Sequence, residues 1–348
     1  MSRFPGNGSS PGNARGGAGR RRRGGRGERA MVPEATFASY YGRPVIKAPV
    51  WKADIPGYLF MGGLAAGSSL LGAGGDLTGR PALAQAGRLS GLGGILVSFG
   101  LLVHDLGRPD RFLNMLRVAK PTSPMSVGTW ILTAYGPLAG LAAGAHLLPP
   151  PLRRRTLGRL VAGLGRPAGL GAAALAPLVA SYTAVLIADT AVPSWHEAYP
   201  ELPFVFVGSA AAAAGGLAMI TVPTTQAAPA RRAAVLGAVL DLAAAQQMES
   251  RLGLVGEPFS EGRAGTLLRT AKALTGGGAV VGALLGRRSR VASALAGAAL
   301  LAGSACTRFG IFEAGVASAK DPKYTVIPQR ERVNRNGSSG VNRSGPHT

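Results

Sequence analysis

Between Ile55 and Phe309 the chain alternates long apolar blocks with short polar connections. Eight blocks fall at about 55–75, 86–104, 126–148, 169–188, 203–222, 233–249, 267–286 and 290–310. Each is near the roughly 20 residues that an α-helix needs to cross about 30 Å of hydrocarbon. Backbone polar groups in lipid must be satisfied within the segment, which makes such blocks helices. From Ile55 to Leu101 the only charged residues are Asp76, Arg80 and Arg88, so this stretch has no polar side to turn to water. The sixth block is weaker, with Asp241 and Gln246-Gln247 inside it, and the seventh opens with Arg269 and Lys272. The pattern predicts an all-α integral membrane protein with eight transmembrane helices.

Composition sharpens this picture. Charged residues are 16% of the 348-residue chain, against roughly 25% in an average soluble domain. Gly is abundant, at 53 residues, and Gly62-Gly63 to Gly67 and Gly91 to Gly94 are small-residue runs of the kind that let helix backbones approach closely. Outside the blocks the chain is basic, with net charge +22. Residues 1–50 read as a basic N-terminal tail, disordered at least over the first 30, with Arg20-Arg21-Arg22-Arg23 as its densest run. That run attracts anionic lipid or is simply solvated. No apolar segment follows it before Ile55, which argues against a cleaved export signal. After Phe309 the chain turns polar, and 312–348 read as an extended segment ending in disorder. Eight spans put both ends on one side, and 26 of the 38 Lys and Arg fall on that side. The positive-inside rule then places both termini in the cytoplasm and the protein in the cytoplasmic (inner) membrane.

The residue inventory excludes several chemistries. A single cysteine, Cys306, leaves no disulfide framework, no thiolate zinc site and no four-cysteine iron–sulfur cluster in this chain. Of four histidines, His104 and His146 lie near opposite ends of their hairpin, a poor arrangement for bis-histidine haem. No metal site is expected. Nucleic acid is not an expected partner either: there is no zinc-finger or RNP-type motif, and aromatics are 6%.

The unusual chemistry gathers in loops on the side of the chain ends. Block one opens with Trp51-Lys52-Ala53-Asp54-Ile55-Pro56-Gly57-Tyr58, and block two ends in His104-Asp105-Leu106-Gly107-Arg108-Pro109-Asp110-Arg111-Phe112. Block three opens with Ser123-Pro124-Met125-Ser126-Val127-Gly128-Thr129-Trp130. Block four contains Tyr182-Thr183, and the loop to block five reads Val192-Pro193-Ser194-Trp195-His196-Glu197. This set resembles the polysulfide reductase / NrfD family of membrane anchor subunits over about residues 50–330. The resemblance implies eight helices in two four-helix bundles, about 51–190 and about 191–311, with a quinone or quinol pocket in the first. It also implies menaquinone or ubiquinone bound non-covalently, and no metal or haem in this chain. The implied partners are a four-cluster ferredoxin-like iron–sulfur subunit and a molybdopterin catalytic subunit. This chain would pass electrons between the membrane quinone pool and the iron–sulfur partner.

The residues are compatible with that chemistry. Asp54 and Tyr58 are four apart and share one helix face at the membrane boundary. The family's quinone contacts, carried over, fall on Asp54, Tyr58 and Tyr182. The alternatives are a helix-dipole acid for Asp54 and an interfacial anchor for Tyr58. His104 and Asp105 are candidates for proton transfer, with helix capping as the other reading of His104. Asp241, an acid inside a span, is a third proton-transfer candidate, its alternative a buried, hydrogen-bonded acid. Arg108, Pro109 and Arg111 mark the expected partner-docking loop, flanked by Trp195 and His196, for which membrane anchoring is the rival role. A secondary transporter, or a proton-translocating protein without redox role, is the competing function. It predicts inverted repeats around a midplane site, and the polar groups here gather at one boundary, Asp241 excepted.

Overall fold

The computed structural model describes residues 44–107 and 114–341, with side chains through residue 334. Arg108, Pro109 and Arg111 of the expected docking loop lie outside the described residues, as does most of the basic N-terminal tail. The described residues are helical, with no strand among them. In chain order the helices are α1 (Asp54–Leu77), α2 (Pro81–Asp105), α3 (Pro124–Leu147), α4 (Pro150–Arg153), α5 (Thr156–Ala188), α6 (Pro193–Glu197), α7 (Leu202–Thr221), α8 (Ala228–Leu252), α9 (Glu257–Ser260), α10 (Gly262–Leu284), α11 (Arg290–Lys320) and α12 (Lys323–Val341).

Proline sets many of the starts. It stands in the first two positions of α2, α3, α4, α6, α7, α8 and α9, where its missing N–H costs no hydrogen bond. Ser289 caps α11 by accepting from the Ala292 N–H at 3.2 Å. Gly79 and Gly107, with φ of 65° and 64°, supply the left-handed residues that stop α1 and α2.

Four helices, α2, α5, α7 and α11, are long and apolar enough on their own to cross a membrane. The other long helices, α1, α3, α8 and α10, coincide with expected blocks but are less apolar. Gly and Ser dilute α1 and α3, while α8 carries Arg231, Arg232 and Asp241, and α10 carries Arg263, Arg269 and Lys272. Two helices overrun their expected ends. α5 begins at Thr156 and takes in Arg159 and Arg166, and α11 continues to Lys320. The extended tail expected after residue 312 is also corrected: α12 occupies Lys323–Val341. Its polar sequence folds against the domain because Tyr324 is buried, Lys323 pairs with Glu257 at 2.8 Å and Arg332 pairs with Glu197 at 2.8 Å.

Successive long helices run antiparallel along seams of small residues. At Gly87 and Gly75 a side chain would run into the facing backbone of α1 or α2, and at Gly208, Gly215 and Gly237 into that of α7 or α8. Gly216 and Gly297 do the same between α7 and α11. Gly63 and Gly67 bring α1 against Ala210 and Ala214 of α7. Without side chains between them the backbones pack directly, and dispersion takes the place of the hydrophobic effect that lipid removes. Across the α1–α2 hairpin Arg88 and Asp76 form a largely buried ion pair at 2.6 Å. One apolar core runs through all the long helices, from Tyr58 and Leu59 of α1 to Ile311 and Phe312 of α11.

Candidate functional site

The N-terminus of α1 and the C-terminal ends of α2 and α5 meet at one end of the helices, next to the start of α3. Tyr58 from α1 and Tyr182 from α5 are both buried, and their hydroxyls are hydrogen-bonded to each other. The pairing depends on Gly128 in α3, where any Cβ would run into the Tyr182 ring. The glycine of the Ser-Pro-Met-Ser-Val-Gly-Thr-Trp stretch therefore makes the space that the phenol fills. Ser98 of α2 donates to the Tyr58 carbonyl at 3.1 Å and ties the backbone of α1 in place.

Tyr182 lies on the wall of a cavity of about 680 Å³ between α3 and α5. Pro124, Val127, Ile131, Leu178 and Val185 make the apolar walls, and Ser181, Tyr182, Asp189, His196 and Tyr199 contribute polar groups. His196 Nδ1 lies 3.1 Å from the Ala188 carbonyl. With Nδ1 donating there, Nε2 of the neutral ring is left as an acceptor. A mostly apolar slot of this size with a few converging polar groups is the usual form of a small-molecule site.

Asp54 does not line this cavity. It sits one helical turn before Tyr58, and its Oδ2 is 3.1 Å from His104 Nδ1 at the exposed edge. The structure thus brings two pairs together at this end, Tyr58 with Tyr182 and Asp54 with His104. Asp105 follows His104, half-buried, at the end of α2.

Asp241 belongs to another neighbourhood. It is buried in α8, beside a separate cavity of about 20 Å³ shared with Met248, Thr275 and Thr307. Arg308 of α11, 1% exposed, forms no ion pair with it among the described residues. Arg308 Nη2 donates to the Phe206 carbonyl at 2.7 Å, and the guanidinium lies 3.7 Å from the centre of the Phe206 ring. Its Nε and Nη1 have no hydrogen-bond partner among the described residues.

One docking expectation is corrected. Trp195 is fully buried, stacked on Trp51 and tilted against Phe312, and its Nε1 donates to the Ile311 carbonyl at 2.8 Å. Gly315 leaves the room its ring occupies. A residue so enclosed is a packing anchor, and its neighbour His196 is the one that reaches the cavity.

Sequence reasoning did not find the roles of Asp189, Tyr199 or Gly128. It also missed Tyr135, whose hydroxyl donates to the Ala65 carbonyl at 2.9 Å and pairs with Ser69 at 2.7 Å. For Tyr135 the available signal was a lone phenol inside an apolar block, which needs a partner when buried. Among the described residues no three His, Cys, Asp or Glu side chains cluster as metal ligands.

Residues 45–247, from just before α1 to near the end of α8, match the family described as polysulphide reductase, NrfD. No curated protein matches the chain.

Proposed function

We propose, from the premise that the chain belongs to the polysulphide reductase, NrfD, family, that it is the quinone-reactive anchor of its complex. Membership makes it a membrane subunit of a redox complex, and family members pair with redox subunits. The finer reading is eight spans in two four-helix bundles, both chain ends in the cytoplasm, and a place in the cytoplasmic membrane. The cofactor is menaquinone or ubiquinone. The partners are a four-cluster ferredoxin-like iron–sulfur subunit and a molybdopterin catalytic subunit, docked on the face of the chain ends.

The observation that carries this reading is the buried Tyr58–Tyr182 pair, whose Tyr182 member lies on the wall of the α3–α5 cavity. The residues present fit a quinone headgroup. Val127, Ile131, Leu178 and Val185 offer an apolar slot, and the Tyr182 hydroxyl offers a donor to a quinone carbonyl, with the His196 ring as a further polar group on the wall. A quinone supplies two-electron, two-proton chemistry there when bound. Tyr182 Oη holds a proton beside the cavity, and Tyr58 Oη, hydrogen-bonded to it, holds a second. Asp54 Oδ2 and His104 Nδ1 lie within hydrogen-bond distance one helical turn away, at the exposed boundary. Burial of both phenols strengthens the hydrogen bond between them.

The test is electron transfer between a quinol and the iron–sulfur partner in the purified complex. Tyr182→Phe and Tyr58→Phe are each expected to slow that transfer by about 10²-fold, the usual contribution of a positioned acid–base group. Subunit assembly is expected to be unchanged. Normal turnover in both variants would overturn the reading.

A further inference from the structure

The membrane boundary opposite the Tyr58–Tyr182 site has an unusual charge. It carries 12 basic residues, from Arg80 to Arg290, and every one is an arginine. The one acid there, Asp76, is paired with Arg88, and none of the other arginines forms an ion pair among the described residues. Some are committed to helix ends. Arg290 donates to the Met219 and Val222 carbonyls at 2.8 Å and to that of Ile220, closing α7. Arg153 does the same for α3 through the carbonyls of Ala145 and His146.

Three others surround one groove of about 880 Å³ between the start of α8 and the end of α10. Arg231, Arg232 and Arg287 line it and repel one another. Arg231 is anchored by its bond to the Thr224 carbonyl at 3.1 Å, while Arg232 and Arg287 are exposed. The opposite character begins one turn along each helix. Leu236 and Ala283 line the same groove, and Leu236 and Leu284 are 70% and 68% exposed.

We infer that this groove binds an anionic glycerophospholipid, its phosphate on Arg231, Arg232 and Arg287 and its acyl chains along Leu236 and Leu284. Guanidinium forks match phosphate oxygens two at a time, and among the described residues no carboxylate lines this groove to compete for them. A free phosphate would satisfy the arginines but would leave the adjoining apolar wall without a role.

The experiment uses the full chain in mild detergent, titrated with phosphatidylglycerol, phosphatidylcholine or inorganic phosphate and read by native mass spectrometry. Phosphatidylglycerol is expected to bind at least about 10-fold tighter than phosphatidylcholine. Arg232→Gln with Arg287→Gln is expected to abolish that preference, and Arg232→Lys with Arg287→Lys to retain part of it. Arg154→Gln with Arg155→Gln, on the same face but away from the groove, is expected to leave it intact. The proposal is overturned by equal binding of the two lipids or by unchanged binding in the glutamine pair. An equal loss in the Arg154 and Arg155 pair, or displacement of the lipid by millimolar inorganic phosphate, overturns it too. The readout involves no quinone, so it stands or falls apart from the redox reading.

Discussion

Asp241 and Arg308 are single residues whose surroundings decide their cost. Arg308 lies against Gly63 of α1 and Phe206 of α7, and two of its guanidinium nitrogens find no acceptor among the described residues. Asp241 and Arg308 form no direct ion pair among the described residues, and each charge offsets the other only across the buried interior; losing such an offset costs up to about 3–5 kcal/mol. Arg308→Met is therefore expected to destabilise the protein by about that amount. Adding Asp241→Asn should recover most of the loss. Thermal unfolding in detergent, run as a double-mutant cycle, measures the coupling; simple additivity of the two changes would show that the pair does not interact. The sequence singled out Asp241 because an acid inside an apolar block stands out. It did not single out Arg308, which lies near the end of its block and reads there as a boundary cation.

Among the elements, α12 is the one whose attachment depends on charge. Its first residue, Lys323, bonds to Glu257 of α9, and that hydrogen bond holds the Glu257 carboxyl below its ordinary value and raises the Lys323 ammonium above its own. A depressed carboxylate contributes stability that is full above its unfolded value and is lost as pH falls through the folded one. A raised lysine contributes stability that is full below its unfolded value and is lost as pH rises through the folded one. The attachment of α12 should thus be level around neutrality and loosen in acid, below the usual carboxylate range. Hydrogen exchange of α12 against pH tests this, and Glu257→Gln should remove the acid-side change; an unchanged acid profile in that variant would place the cause elsewhere. The long helices were legible as elements because block length and apolar content report directly on them. α12 was not, since a polar stretch becomes a helix here only by docking on α6 and α9.

For the whole molecule the sequence pattern makes a directional claim. Lys120 lies at the end shared with Asp54 and Tyr182, whereas Arg154 and Arg288 lie at the other. In sealed right-side-out vesicles, and in a Cys306→Ser background, an impermeant thiol reagent is expected to label Arg154→Cys and Arg288→Cys and to spare Lys120→Cys. Labelling of Lys120→Cys alone would invert the orientation, and labelling of all three would break the eight-span count. Hydropathy along the chain was sufficient to determine the helical class and where its long elements lie, because burial in lipid depends on composition residue by residue. The Asp-Leu-Gly-Arg-Pro and Ser-Pro-Met-Ser stretches were sufficient for the family, because they are local patterns. Tertiary structure alone decided which polar groups meet. It paired Tyr58 with Tyr182 and Asp54 with His104, enclosed Trp195 and turned His196 toward the cavity. Those outcomes depend on which helix faces touch, and along these seams the faces are chosen by glycines whose spacing shows close approach but not the partner it approaches.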